Sequence, residues 1–163
     1  MRGVSVTGKY LAVAVGGALG AVARYHLGNT IVSRFGAPFP TATFLINVSG
    51  SFVIGFFLAL APEKFALNPH LRLAVAVGFV GAYTTFSTFE YETMQLLETR
   101  RYLLAFLYVV LSFAVGLSAV WGGTALAHRV EGAFVTNGAV GKSSAHLAGG
   151  NDVLSGRLKK DEK

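Results

Sequence analysis

Four apolar runs, each long enough to cross a bilayer, leave this chain few folds to choose from. They cover about residues 10–32, 41–60, 71–97 and 102–126. A run of about eighteen or more apolar residues with few charges is a candidate transmembrane helix. The composition agrees: 53% of the 163 residues are hydrophobic and only 13% charged, with a mean hydropathy of +0.55. The expected fold class is an all-α membrane protein with four transmembrane helices per chain, in one domain over residues 1–131. Short turns separate the runs: 33–40 with two prolines, 62–69 with Glu63 and Lys64, and the charged 98–101. The first nine residues carry Arg2 and Lys9 but no Ala-x-Ala-type cleavage site, so the first helix is expected to stay in place. Residues 132–163 turn to Gly, Ala, Ser, Asn and Lys without an apolar period, which predicts a disordered polar tail.

Several function classes fall away at once. With no cysteine, disulfides and thiolate metal sites are not available. The net charge of +6 comes from basic residues at helix ends and in the tail. No aromatic-interleaved basic patch accompanies them, so attraction to anionic headgroups explains the charge better than nucleic acid does. No nucleophile–base pair or metal cluster is visible, and His26, His70, His128 and His146 lie at or beyond the helix ends. The chain does not read as an enzyme. No repeat with a period of 20–50 residues is evident.

The third run is the unusual one. In Gly78-Phe79-Val80-Gly81-Ala82-Tyr83-Thr84-Thr85-Phe86-Ser87-Thr88-Phe89-Glu90-Tyr91-Glu92, two glycines and paired threonines weaken the helix near Gly81–Thr85. Irregular backbone at membrane depth survives only where it is buried in protein or lines a cavity. A break here therefore predicts a packed site or a pathway. Phe86 and Phe89 follow at i and i+3, sharing a face, with hydroxyls from Thr85, Ser87 and Thr88 around them. On spacing alone an ordinary apolar packing face, with the hydroxyls bonding back to their own helix, is the simpler reading.

Polar stripes mark two other runs. Thr43, Asn47 and Ser51 fall at i, i+4 and i+8 in the second, and Tyr108, Ser112 and Gly116 do so in the fourth. An intramembrane asparagine should face the bundle interior, either bonding another helix or lining a path. In the first run Gly16 and Gly20 form a small-xxx-small pair that lets a neighbouring helix approach closely. Arg24 lies one turn further on. It either snorkels to the headgroups or supplies a fixed positive charge to a vestibule.

Lys and Arg are nearly balanced between the two ends of the four runs: Arg2, Lys9, Lys64, Arg72 and Arg129 at one, Arg34, Arg100 and Arg101 at the other, with Arg24 close to it. The positive-inside rule then gives little preference for either orientation, so antiparallel pairing is open to the chain. Four short helices also enclose little space, which points to an oligomer.

The pattern Gly-Phe-x-Gly-x-x-Thr-Thr-Phe-Ser-Thr-Phe-x-x-Glu resembles the signature of the fluoride channel family (Fluc, also called CrcB). Residues 16–25 look like its first-helix motif and 47–52 like its second, and the resemblance covers about residues 10–127 in the right order. The resemblance implies a passive fluoride-selective channel that exports F⁻ from the cytoplasm through the cell membrane. It implies an antiparallel dual-topology homodimer with two pores. By the same resemblance Asn47, Phe86, Phe89, Tyr108 and Ser112 would line the ion pathway. Arg24, Thr43, Ser51, Thr85, Ser87 and Glu92 would have vestibule or structural roles. A structural sodium ion at the dimer centre would be held by backbone carbonyls of Gly81 and Thr84. Ring edges are electropositive and suit an anion, although a purely hydrophobic ring pair would instead shut the path. Ala82 and Glu90 depart from the family pattern. The alternatives are a small dual-topology exporter of cationic drugs, which wants a mid-span carboxylate that the first two runs lack, and a structural or regulatory membrane subunit.

Overall fold

Helix is the one regular structure found among the described residues, which in this computed structural model are 5–36, 38–64 and 69–158. The chain divides into two compact units, Met1–Ala127 and His128–Lys163. Helix α1 is Val6–Phe35 and α2 is Thr41–Lys64. Helix α3, residues 69–83, is composite: an α-helical turn Pro69–Arg72, a π-helical stretch Leu73–Val80 and a last turn Gly81–Tyr83. Helix α4 is Phe86–Glu98 and α5 is Tyr102–Leu158. Four spans are long and apolar enough to cross a membrane: Val6–Phe35, Thr41–Leu60, Pro69–Glu98 and Tyr102–Ala133. The all-helical, four-span reading agrees with this architecture.

Several boundaries move. α1 extends through Phe35 into the expected turn and stops at Gly36, whose φ of 58° and N–H bond to the Val32 carbonyl end the helix. α2 continues past Pro62 to Lys64. Residues 65–68 of the expected loop lie outside the described residues, as do 1–4 with Arg2 and 159–163. The tail expected to be disordered is drawn as helix as far as Leu158. After Pro69 the chain contains no proline, so no residue removes a helix amide there. The glycines of the third span do not break it either. Gly78 is π-helical and Gly81 α-helical, and the interruption is confined to Thr84 and Thr85.

Gly78 works through contact, together with Gly16 and Gly20 of α1. A Cβ on Gly16 or Gly20 would strike the backbone of Ala74 or Phe79 on α3, and one on Gly78 would lie 2.7 Å from the Val13 carbonyl oxygen of α1. A second seam joins α2 to α5, where Gly55 meets the Val120 carbonyl and Gly123 the Phe52 carbonyl. Lipid offers apolar side chains no reason to leave it, so helices in a membrane associate through such close backbone packing. The small buried core lies between α4 and α5: Phe89, Leu96, Ala105 and Tyr108, with Phe39 and Phe44 against it. Outward, Tyr10, Leu19, Val22, Leu103, Phe106, Leu117 and Trp121 are all exposed. An apolar exterior of this extent requires a lipid solvent.

The α4–α5 turn closes with paired backbone bonds, Arg101 N–H to the Leu96 carbonyl at 2.8 Å and Arg100 N–H to the Leu97 carbonyl at 2.9 Å. This Schellman arrangement puts its C′ residue in the left-handed region, where glycine is usual. Arg100 occupies it with φ 58°.

Adjacent glycines on α5 should behave oppositely. Nothing lies within 4 Å of a Cβ on Gly122, so Gly122→Ala should raise stability by up to ~1 kcal/mol through helix propensity. Gly123→Ala drives a methyl into the Phe52 carbonyl and should cost about 1–3 kcal/mol. Thermal unfolding of the two variants in detergent separates these outcomes.

Candidate functional site

The site is built around a two-residue gap. Thr84 (φ −78°, ψ 158°) and Thr85 (φ −150°, ψ 112°) are extended between α3 and α4. In an unbroken helix the Thr85 N–H would bond to the Gly81 carbonyl. It donates instead to Asn47 Oδ1 at 2.8 Å, while Asn47 Nδ2 donates back to the Thr85 carbonyl at 3.1 Å. One side-chain amide thus satisfies both polar groups of the extended residue. Thr85 then caps α4, its Oγ1 accepting the Thr88 N–H at 3.3 Å. That leaves the Gly81 and Thr84 carbonyls without their usual i+4 amides.

Further residues of α2, the helix that carries Asn47, brace the gap. The Ser49 hydroxyl donates to the Ile46 carbonyl at 3.0 Å, so the Tyr83 hydroxyl, 2.8 Å away, donates to Ser49 Oγ. The Tyr83 ring stacks on Phe79 with centroids 5.7 Å apart. Gly50 leaves space for the Thr84 methyl, which a Cβ would strike.

A cleft of about 420 Å³ opens beside the gap, lined among others by Asn47, Ser51, Gly81, Thr84, Thr85, Phe86, Phe89 and Ser112. Its lining contains no charged side chain. Ser112 Oγ is buried and has no hydrogen-bond partner among the described residues. The Phe86 and Phe89 rings lie 5.8 Å apart and 34° inclined. Phe89 is only 7% exposed, packed 5.0 Å from the Tyr108 ring, whereas Phe86 is 64% exposed.

One turn along α4 stands Glu92. It accepts the Thr43 hydroxyl on Oε1 at 2.8 Å and the Tyr108 hydroxyl on Oε2 at 2.7 Å. Both acceptors of this carboxylate are therefore engaged by hydroxyls, which offsets its desolvation. Glu92 also lines a second cleft of about 580 Å³ with Thr41, Gln95, Thr99 and Arg101. From one cleft to the other the chain presents, in order, Asn47 and Ser112, Phe89, then Tyr108 and Glu92.

The sequence-derived residues are thus largely brought together. Asn47, Ser51, Thr85, Phe86, Phe89, Ser112, Gly81 and Thr84 share the first cleft, and Thr43, Tyr108 and Glu92 share the hydrogen-bonded group. Arg24 is half-buried and Ser87 exposed, and neither lines either of these two clefts; nor does exposed Glu90. Gly116 faces Ser51, 3.8 Å from where its Cβ would be, which is a packing contact. Ala82 is half-buried beside the gap. Sequence reasoning missed the Tyr83–Ser49 bond and the edge-on contact of Phe39 with Tyr108, centroids 5.3 Å apart at 82°. The Thr85-x-x-Thr88 spacing ahead of a resumed helix was an unread signal for the cap; nothing in the sequence pointed to Phe39.

Fold and site together define a four-span helical membrane protein organised on an interrupted third span. Residues 11–124 match the family model described as CrcB-like protein, Camphor Resistance (CrcB). The "Fluoride-specific ion channel FluC" of Acidobacterium capsulatum is 50% identical over 122 residues, 75% of this chain and 98% of that one. The protein of the same name from Solibacter usitatus is 46% identical over 121 residues, 74% of this chain and 99% of that one. A third, from Methylococcus capsulatus, is 48% identical over 138 residues, 85% of this chain and 57% of that one. This chain belongs to the CrcB family.

Asn47→Ala removes both partners of the Thr85 backbone and should cost about 2 kcal/mol or more. Ser112→Ala removes a buried hydroxyl with no described partner and should leave stability unchanged or slightly higher. Thermal unfolding in detergent tests the contrast.

Proposed function

We propose that this chain is a passive fluoride-selective channel that exports F⁻ through the cell membrane as an antiparallel, dual-topology homodimer. The observation that carries this reading is the uncharged cleft, where hydrogen-bond donors and phenyl rings meet beside a broken helix. Fluoride gives up its water only to groups that replace it. Asn47 Nδ2 has a second N–H beyond the one given to Thr85, and the Ser112 hydroxyl has no described partner. Phe86 and Phe89 add ring edges, an attraction weak enough to allow release. The Tyr108 hydroxyl donates to Glu92 Oε2, so in this reading Tyr108 holds that carboxylate beside the path.

Two features favour a second copy. Phe86 and Gly81 belong to the cleft yet face outward, and a partner would enclose them. The carbonyls of Gly81 and Thr84, released from the helix ladder, suit a hard cation such as sodium. One chain supplies too few oxygens for such an ion, and two chains would supply four of this kind. When bound, the ion would offset repulsion among anions nearby. The cation-exporter reading lacks comparable support, because Glu92 has both oxygens taken by hydroxyls.

Liposomes carrying the full chain should release fluoride rapidly and chloride little. Phe86→Ile and Phe89→Ile should each slow fluoride release by roughly two- to tenfold, the value of an aromatic interaction. Fluoride release untouched by both substitutions would remove the rings from the mechanism, and no fluoride release from folded protein would overturn the channel itself.

The antiparallel arrangement has its own check. The native chain has no cysteine, and Thr99 is exposed in the α4–α5 turn. A Thr99→Cys variant in intact cells should react with an impermeant maleimide to about half its total, as dual insertion requires. Labelling near zero or near completion would show a single topology.

A further inference from the structure

We infer that the α4–α5 turn is a binding site for an anionic phospholipid. A groove of about 460 Å³ there is lined by Pro38, Arg100, Arg101, Tyr102, Leu103 and Leu107. Its two halves differ sharply in chemistry. Arg100 and Arg101 are adjacent and exposed, and neither guanidinium has an ion pair or side-chain hydrogen bond among the described residues. Next to them Leu103, 71% exposed, and Leu107, 39% exposed, continue along the outer face of a membrane span. Paired, uncompensated cations at the end of an apolar strip match one ligand, a lipid whose phosphate meets the arginines and whose acyl chain follows the leucines. A guanidinium pairs with phosphate oxygens in fork geometry.

The backbone adds a separate indication. Arg100 sits at φ 58° in a turn whose geometry favours glycine. Glycine would be at ease there, so the turn itself does not call for an arginine. Arg101 also lines the second cleft with Glu92, whereas Arg100 lines the groove and neither of the other two clefts; the lipid readout does not depend on the ion the protein conducts.

The test localises lipid by fluorescence quenching. The chain's one tryptophan, Trp121, is exposed and is replaced by phenylalanine, and Leu103→Trp puts an indole in the groove. The full chain goes into vesicles containing brominated phosphatidylglycerol or brominated phosphatidylcholine. The expected result is a clear preference for the anionic lipid at the introduced indole. Arg100→Gly and Arg101→Gln should each lower it about fivefold, the worth of one basic residue near an anionic surface. Arg34→Gln, at the end of α1 and outside the groove, should leave it unchanged. Arg100→Gly should also unfold at the same or a higher temperature, since glycine is at ease at that φ. Loss of lipid preference in that variant then cannot be misfolding; if it unfolds earlier, Arg101→Gln decides. Equal quenching by both lipids overturns the site. So does a preference that survives both arginine substitutions, or one that Arg34→Gln weakens equally, since either means general surface attraction.

Discussion

The structure depends on one pair of hydrogen bonds, those between the Asn47 amide and the backbone of Thr85. A chain cannot leave helical geometry at membrane depth unless its freed N–H and C=O groups find partners. Asn47 supplies both at once, in the way a neighbouring strand would. With the Thr85 amide drawn aside, the Gly81 carbonyl loses its donor, and Thr85 becomes free to cap α4. The gap, the restart of the helix and the carbonyls released from the helix ladder all follow from that exchange.

Asn47 can reach Thr85 only because the helices lie close together. Glycines bring α1 onto α3 and α2 onto α5 until backbone meets backbone, and Gly50 admits the Thr84 methyl from the same helix that carries Asn47 and Ser49. Packing and chemistry are therefore the same feature seen at two scales. The Thr43–Glu92–Tyr108 group extends it by a turn, holding a carboxylate in a largely apolar setting with two hydroxyl donors. Removal of either hydroxyl would leave a charged oxygen short of a partner, an expensive state away from water.

Charge is distributed to match. The cleft around Phe86 and Phe89 has none, Glu92 is tied by hydroxyls beside the second cleft, and the free arginines of the α4–α5 turn lie at the end of the spans. A path that has to pass a strongly hydrated anion needs donors without a fixed counter-charge that would trap it. The ends of the spans, in contact with headgroups, have no such restriction.

Much of this was legible in the sequence. Apolar length alone decided that the chain spans a membrane four times, because lipid permits little except helix. The Gly16/Gly20 pair announced a close helix contact, and the periods of Thr43-Asn47-Ser51 and Tyr108-Ser112 announced inward faces. The signature around Phe86 and Phe89 identified the family. What the sequence could not decide was which residues make the break. Glycines and threonines alike looked responsible on propensity, yet Gly78 and Gly81 are helical and the threonines are not, because a side chain 38 positions away competes for the Thr85 amide. Nor could it place the Tyr83 hydroxyl on Ser49, the Phe39 edge on Tyr108, or two hydroxyls on one Glu92 carboxylate. Each of these joins residues from different helices. Local periodicity fixes the face a residue occupies, and only the packed structure decides what that face meets.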